Sequence, residues 1–472
     1  MKIGLFSIGL DTYWGQYEGL LPRLQRYEDE IARRLQGLQV EVVRGGMVDN
    51  VSKSYAAASL FQRQEVELVC VFISTYALSS TVLPLVQRVG KPVLLLNIQP
   101  VPAIDYDHLN GLGDRALMTG EWLAHCQACS VPELACVLKR AGIRFDIVTG
   151  YLADEEMWHE LADWMDAARA VSGMRSNKMG ILGHYYCGML DVYTDTTKQS
   201  ITFGTHVELL EMCELKALRD GVSEQELRDK LEEFHRVFRV DEQCEEAELW
   251  RAALTSVALD KMVERHGLGS LAYYYEGQPG NDYEDLVTSF IAGCTILTGR
   301  GVPTAGECEV KNVQAMKLMA LLGAGGSFSE PYAMDFHDDV VLWGHDGPGH
   351  LNMAQDGVAL VPLPIFHGKP GRGLSIEMAV RHGDVTLLSV CEDQDGIHLL
   401  VAEGQSVEGK TMHIGNTNSR YRFPLPVKEF MHRWAMGGPS HHCAIGVGHV
   451  AGKIEKVGRL LGVPVINVTS FL

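Results

Sequence analysis

The chain reads as an α/β protein: two doubly wound α/β domains followed by a mostly antiparallel β-barrel domain. Three observations predict this. Apolar runs of strand length alternate with amphipathic helical stretches through the first third of the sequence. The alternation restarts at Lys178-Met179-Gly180-Ile181-Leu182-Gly183, and after about residue 326 glycine, proline and short β-like runs take over. A chain of 472 residues exceeds what one core organises, so we divide it into 1–175, 176–325 and 326–472.

In the first part, strands are expected over 2–9, 39–44, 66–74, 92–98 and 145–151. Between the first two lies a helix over 19–36, on which Leu20, Leu21, Leu24, Tyr27, Ile31 and Leu35 share one face. Loops at the carboxyl ends of parallel strands carry function. The first of them, Asp11-Thr12-Tyr13-Trp14-Gly15-Gln16-Tyr17, is rich in aromatic and amide groups. The second part predicts an acidic helix over 222–236, another over 245–266, and a strand holding Leu271-Ala272-Tyr273-Tyr274-Tyr275. The third predicts strands at Val340-Val341-Leu342-Trp343, at 385–390 and at 398–402.

Composition narrows the function. A net charge of −19 excludes a general nucleic-acid binder, which needs a basic surface. Hydrophobic and charged fractions of 46% and 21% are those of a soluble globular protein. The N-terminal apolar run stops at Asp11, short of the roughly 20 residues that cross a bilayer. Eleven scattered cysteines without a tight framework fit reduced thiols, so a cytoplasmic protein is expected. Cys126 and Cys129 form a single CxxC, read here as two small residues one helical turn apart.

The residues that can carry chemistry are charged groups set among apolar residues or glycines, because an unpaired buried charge is costly. Glu307, in Pro303-Thr304-Ala305-Gly306-Glu307-Cys308-Glu309, opens a helix that runs to Leu322. Glu330 lies in Gly325-Gly326-Ser327-Phe328-Ser329-Glu330-Pro331-Tyr332, and His345 follows the strand ending at Gly344, close to Asp346 and His350. Gly437-Gly438-Pro439-Ser440-His441-His442 puts two histidines on a turn before an apolar helix of Ala444, Ile445, Val447, Val450 and Ile454. Each residue alone admits an ordinary role, as helix cap, solvated loop or strand-end side chain. Together, two carboxylates and neutral imidazoles suit a divalent ion such as Mn2+. Moving a proton between adjacent carbons needs a base, an acid and an electrophile, which such a centre supplies.

In this order, Pro-Thr-Ala-Gly-Glu307, Gly-Ser-Phe-Ser-Glu330-Pro-Tyr, Gly344-His345 and Gly-Gly-Pro-Ser-His441-His442 resemble the L-arabinose isomerase branch of the arabinose/fucose isomerase family. The resemblance implies metal ligands at Glu307, Glu330, His345 and His442, with Mn2+ the usual ion. It makes Glu307 and Glu330 the acid/base pair of an enediol mechanism that interconverts an aldose and its ketose. It implies sugar contacts from Met189, in Gly188-Met189-Leu190-Asp191, from Gln16, lent by a neighbouring subunit, and from His125 and His441. It also implies hexamers or tetramers with sites at subunit interfaces, and two α/β domains before a β-barrel domain.

Pro331 departs from the acidic residue usual after the second glutamate, which puts the substrate in question more than the chemistry. The cationic segments His367-Gly368-Lys369-Pro370-Gly371-Arg372-Gly373 and Arg420-Tyr421-Arg422 raise an anionic sugar as an alternative; as ordinary surface turns they would do nothing of the kind. A sugar epimerase and a sugar-binding regulatory protein are the other readings.

Overall fold

The computed structural model describes residues 1–276, 280–363, 365–366, 369–370 and 372–470, and it divides into two compact units, Met1–Ser172 and Gly173–Leu472. The first unit holds a parallel sheet of β1 (Lys2–Ile8), β2 (Glu41–Val48), β3 (Leu68–Phe72), β4 (Val93–Gln99) and β5 (Phe145–Tyr151). Their order, β2-β1-β3-β4-β5, is that of a doubly wound sheet. β3 is buried along its whole length, which is why Leu-Val-Cys-Val-Phe reads as unbroken apolar sequence. Helix Leu20–Gly37 buries Leu20, Leu24, Ile31 and Leu35 on one stripe, as its spacing predicts. Gly4 is needed in β1 because a Cβ there would sit 2.7 Å from the Phe61 ring.

The first carboxyl-end loop packs its aromatic groups inward instead of displaying them. Tyr13, Trp14, Tyr17 and Tyr76 lie against a small core of Leu20, Leu24, Leu123 and Cys126, and the Trp14 indole donates to Asp49 Oδ2 at 2.8 Å. Cys126 and Cys129 fall in the link between helices Arg115–Leu123 and Ser130–Arg140, not on a helix as expected. The link is needed to bring Gln127 under Ser74, whose carbonyl accepts its amide at 2.9 Å. Cys129 is exposed, while Cys126 is buried, which pushes its thiol up to about 12.

The second unit opens with β6 (Lys178–Gly183), β7 (His206–Leu210), β8 (Phe238–Val240), β9 (Ser270–Tyr274) and β10 (Thr304–Ala305). Four of these make a parallel sheet of order β10-β9-β6-β7. Helices Glu224–Val237 and Glu246–His266 stand where the sequence places them, the first started by a Ser223/Glu226 capping box. Then follow β11 (Gly325–Asp335), β12 (Val340–His345), β13 (Val358–Pro362), β14 (Ile365–Phe366), β15 (Lys369–Pro370) and β16 (Leu374–Glu377). The last strands are β17 (Gly383–Asp393), β18 (Gly396–Val407), β19 (Thr417–Arg422), β20 (Cys443–Val447) and β21 (Val465–Asn467).

Six of these close a barrel. β17, β20, β11, β12, β19 and β18 pair antiparallel in that order, and β18 pairs back onto β17. β21 adds a parallel rung on β18, and β8, β13 and β16 form a separate small sheet. Inside lie Trp343, Tyr421, Leu387, Leu400 and Ile445, with Phe423 stacked on Phe430 at 3.5 Å. The apolar run after His442 is a strand, β20, and the helix begins only at Ala451. The barrel decides this, since β20 supplies the ladder between β11 and β17 that a helix cannot. A short apolar run with Ile445 and Val447 does not distinguish the two by periodicity.

Gly344 lets β12 approach β19: a Cβ there would lie 1.8 Å from the Thr417 carbonyl oxygen and 2.8 Å from Asn418 Cα. Backbone cannot swing away as a side chain can. Gly344→Ala should therefore destabilise the second unit by about 1–3 kcal/mol, measured as a lower urea midpoint; an unchanged midpoint would mean the strands part without cost.

Candidate metal centre

Glu307 is delivered by the parallel sheet. β10 ends at Ala305, and Gly306-Glu307-Cys308-Glu309 turns the chain into helix Val310–Leu321 at the carboxyl end of that sheet. The turn is strained. Glu307 and Cys308 have φ of 56° and 58°, a left-handed pair without glycine, at a cost of about 1–3 kcal/mol each. It is held by the Cys308 N–H donating to the Tyr273 carbonyl at 2.9 Å and the Tyr186 N–H donating to the Glu307 carbonyl at 3.3 Å.

The barrel delivers the other groups. Glu330 on β11 lies opposite Gly344 on β12, the residue before His345. His345 is fixed by Thr417, whose Oγ1 accepts from its backbone N–H at 2.9 Å and donates to its carbonyl at 3.1 Å. His442 precedes Cys443, which lies opposite Ser329 on β11. Three neighbouring strands therefore present Glu330, His345 and His442 at one end of the barrel. The Phe328 ring packs against both imidazoles, its centroid 4.1 Å from His345 and 4.5 Å from His442, whose own centroids are 5.1 Å apart.

These residues converge. Glu307, His441 and His442 bring one candidate ligand atom each within 4.8 Å of one another, and so do Glu330, His345 and His442. His442 belongs to both groups and is fully buried. Its Nε2 lies 3.3 Å from Glu307 Oε2 without forming a hydrogen bond among the described residues, and its Nδ1 lies 3.5 Å from Glu309 Oε2. A buried imidazole nitrogen directed at carboxylates, with a second carboxylate behind the ring, fits a ligand oriented by a carboxylate partner. Two carboxylates and two imidazoles form a donor set for a borderline-hard divalent ion.

His441 stands beside this cluster. Asp191 Oδ2 accepts from its backbone N–H at 3.0 Å and contacts Nδ1 at 2.6 Å, while Nε2 lies 3.6 Å from Glu307 and 3.8 Å from Glu330. Burial opposes charge on His441, but Glu307 and Asp191 outweigh it and push its pKa up to about 9. A bound cation would compete for Glu307 and weaken that effect. His350 belongs to neither ligand group; burial pushes it down to about 4, which keeps it neutral.

Met189 is half-buried and leads into the Leu190–Val192 turn that carries Asp191. Gln16 and His125 belong to the first unit. Gln16 lines a 390 Å³ cleft there with Arg23, Leu117 and Glu121, and His125 Nδ1 meets the Glu121 carbonyl at 3.0 Å. In the cationic segments, Arg372 pairs with Glu248 and Asp285 at 3.2 and 3.1 Å, Arg420 pairs with Asp338, and Arg422 donates to the Asp338 carbonyl. His367, Gly368 and Gly371 lie outside the described residues. Sequence reasoning gave no part to Glu309, Asp191 or Lys311, because acidic and basic residues around a helix start read as caps. It also missed an aromatic wall, where Tyr186 packs on Tyr274 at 4.6 Å beside His184.

No family model matches the chain. Curated relatives do. An L-arabinose isomerase of Aeromonas salmonicida (strain A449) is 22% identical over 86% of this chain and 82% of its own. That of Bacillus subtilis (strain 168) is 21% identical over 80% and 76%. A sulfoquinovose isomerase of Alkalicoccus urumqiensis is 24% identical over 64% of this chain and 67% of its own. The chain is thus similar, over most of its length, to enzymes named L-arabinose isomerase. Among solved structures, an ABC transporter solute-binding protein of Actinobacillus succinogenes 130z with bound D-allose covers 61% of this chain and 81% of its own, at 12% identity and a TM-score of 0.17, too weak to carry an argument.

For an arabinose isomerase relative with this cluster, a divalent ion bound here stabilises the fold by mass action. Mn2+ at 100 times its Kd should contribute about 2.7 kcal/mol, read as a rise in the thermal midpoint that His442→Ala abolishes. An equal rise in both proteins would locate the ion elsewhere.

Proposed function

We propose that this chain is a metal-dependent aldose–ketose isomerase that works through an enediol, with Glu307 and Glu330 as the acid/base pair. The observation that carries the reading is the convergence of Glu307 and Glu330 on His442, one carboxylate from the parallel sheet and one from the barrel. Relatives named as sugar isomerases over most of the chain support it. Glu307, Glu330, His345 and His442 would hold the ion, Mn2+ by the hardness of the donor set. When bound, that ion supplies a Lewis acid for the sugar's carbonyl and adjacent hydroxyl oxygens.

The chain's own residues do the rest. One carboxylate takes the proton from C2 of the aldose while the C1 oxygen gains a proton, which gives the enediol. The enediol then loses the O2 proton and accepts one at C1, which yields the ketose. Glu307 is 6% exposed, so water competes little for it, whereas the Glu330 side chain is 28% exposed and open to the incoming sugar. His441, held by Asp191, directs Nε2 between the two carboxylates and hydrogen-bonds a sugar hydroxyl. Tyr273, Tyr274, Tyr275 and Pro348 line a small pocket beside Glu307 and His345 that shields the reacting carbons from water. We place the enzyme in the cytoplasm, in keeping with the free cysteines among the described residues, and take it to be a homo-oligomer as the family resemblance implies.

A second reading, an anionic sugar, is favoured by the relative named sulfoquinovose isomerase. Against it, Arg372 and Arg420 already hold carboxylates. Turnover of a panel of neutral and anionic aldoses with added Mn2+ separates the two.

Glu330→Gln should lower kcat by about 10²–10⁴-fold while leaving the folded state intact; full activity in that variant would remove Glu330 from the chemistry. An aldose deuterated at C2 should lose label to water during turnover. Complete retention at C1 of the ketose would replace proton transfer with hydride transfer.

A further inference from the structure

We infer that Lys311 is a positioning residue that holds both histidines of the centre from behind, an inference that rests on the metal-centre reading above. Lys311 stands in the first turn of helix Val310–Leu321 and is 3% exposed. Nothing about the helix explains it there. A cation in a first turn opposes the helix dipole, and burying an ammonium costs hydration.

What it touches supplies the explanation. Its ammonium lies 3.5 Å from Glu309 Oε1, and it donates to the backbone carbonyl of Asp191. Each partner holds one imidazole. Glu309 is fully buried; its Oε2 meets His442 Nδ1 at 3.5 Å, while its Oε1 makes no hydrogen bond among the described residues and has the Lys311 charge beside it. Asp191 grips the backbone N–H and Nδ1 of His441.

One ammonium thus ties together two carboxylate–histidine pairs that come from separate parts of the chain. Pinning Glu309 directs His442 Nδ1–H backwards and leaves Nε2 toward Glu307 and the ion. Pinning the Asp191 backbone sets the turn on which His441 hangs. Lys311 works through Glu309 and the Asp191 backbone, the two groups its ammonium contacts. A carboxylate that orients a metal-bound histidine typically governs affinity by about 10–100-fold. Lys311 inherits that leverage at one remove.

Two variants test this. Lys311→Met removes the charge and leaves Glu309 alone, whereas Lys311→Met/Glu309→Gln removes both charges, so no buried ion is unpaired. Mn2+ affinity is measured on the substrate-free protein by the electron-spin resonance signal of free Mn2+, with the melting temperature of the metal-free protein alongside. Lys311→Met should bind Mn2+ about 10–100-fold more weakly and melt earlier. The double variant should recover the metal-free melting temperature yet stay at least about 10-fold weaker for Mn2+, because an unanchored amide no longer fixes His442. If Lys311→Met does not fold, the double variant carries the test alone. Wild-type Mn2+ affinity in Lys311→Met, or full recovery of affinity in the double variant, would overturn the positioning role while leaving the isomerase reading intact. A wild-type chain that binds no Mn2+ would instead overturn the metal centre and this inference with it.

Discussion

The centre depends on the hydrogen-bond register of adjacent barrel strands. Ser329 lies opposite Cys443, Glu330 opposite Gly344, and His345 opposite Thr417. Because side chains alternate between faces, a slip of one residue would turn Glu330 and His345 to the opposite side of the wall. Closure through the β17–β18 pair makes such a slip costly, since every strand is locked by two neighbours. Gly344 and Thr417 then seat His345 from both sides: one offers a bare α-carbon, the other a hydroxyl that bonds the histidine's backbone.

The second sheet meets this barrel end with a strained turn. Two successive left-handed residues, neither of them glycine, persist only where neighbouring bonds over-determine them. The Tyr273 carbonyl and the Tyr186 N–H do so here. Both tyrosines sit at or just past the carboxyl ends of β9 and β6, so the turn and the aromatic wall share one support. Around Glu307 the groups are arranged in layers: His441 and His442 face it, Asp191 and Glu309 stand behind those rings, and Lys311 stands beside Glu309 and on the Asp191 backbone carbonyl. The layering lets ionisable groups lie buried side by side without an isolated charge.

Much of the fold was legible in the sequence because its strands are of the kind that betray themselves. Buried parallel strands read as continuous apolar runs, and β1, β3, β4 and β5 lie where those runs do. The candidate site was legible in its carboxylates and imidazoles: Glu307, Glu330, His345 and His442 each interrupt an apolar or glycine-rich stretch. Glu309, Asp191 and Lys311 were not, because their meaning lies in partners far along the chain. Lys311 reaches a carbonyl 120 positions away, Glu309 meets a ring 133 positions on, and Asp191 grips a histidine 250 positions on. Within their own windows they are indistinguishable from helix caps.

The same limit explains the misread segment after His442. Cys443–Val447 is too short for its periodicity to separate strand from helix, and the vacant ladder between β11 and β17 made the choice. By itself, then, the sequence determined which segments are apolar, where helices start, and which isolated charges and imidazoles stand out. Only the tertiary structure decided that those groups meet, and which acids and cations stand behind them. The reason is physical: strand register, barrel closure and ion pairing join residues more than a hundred positions apart, and no local pattern contains that information.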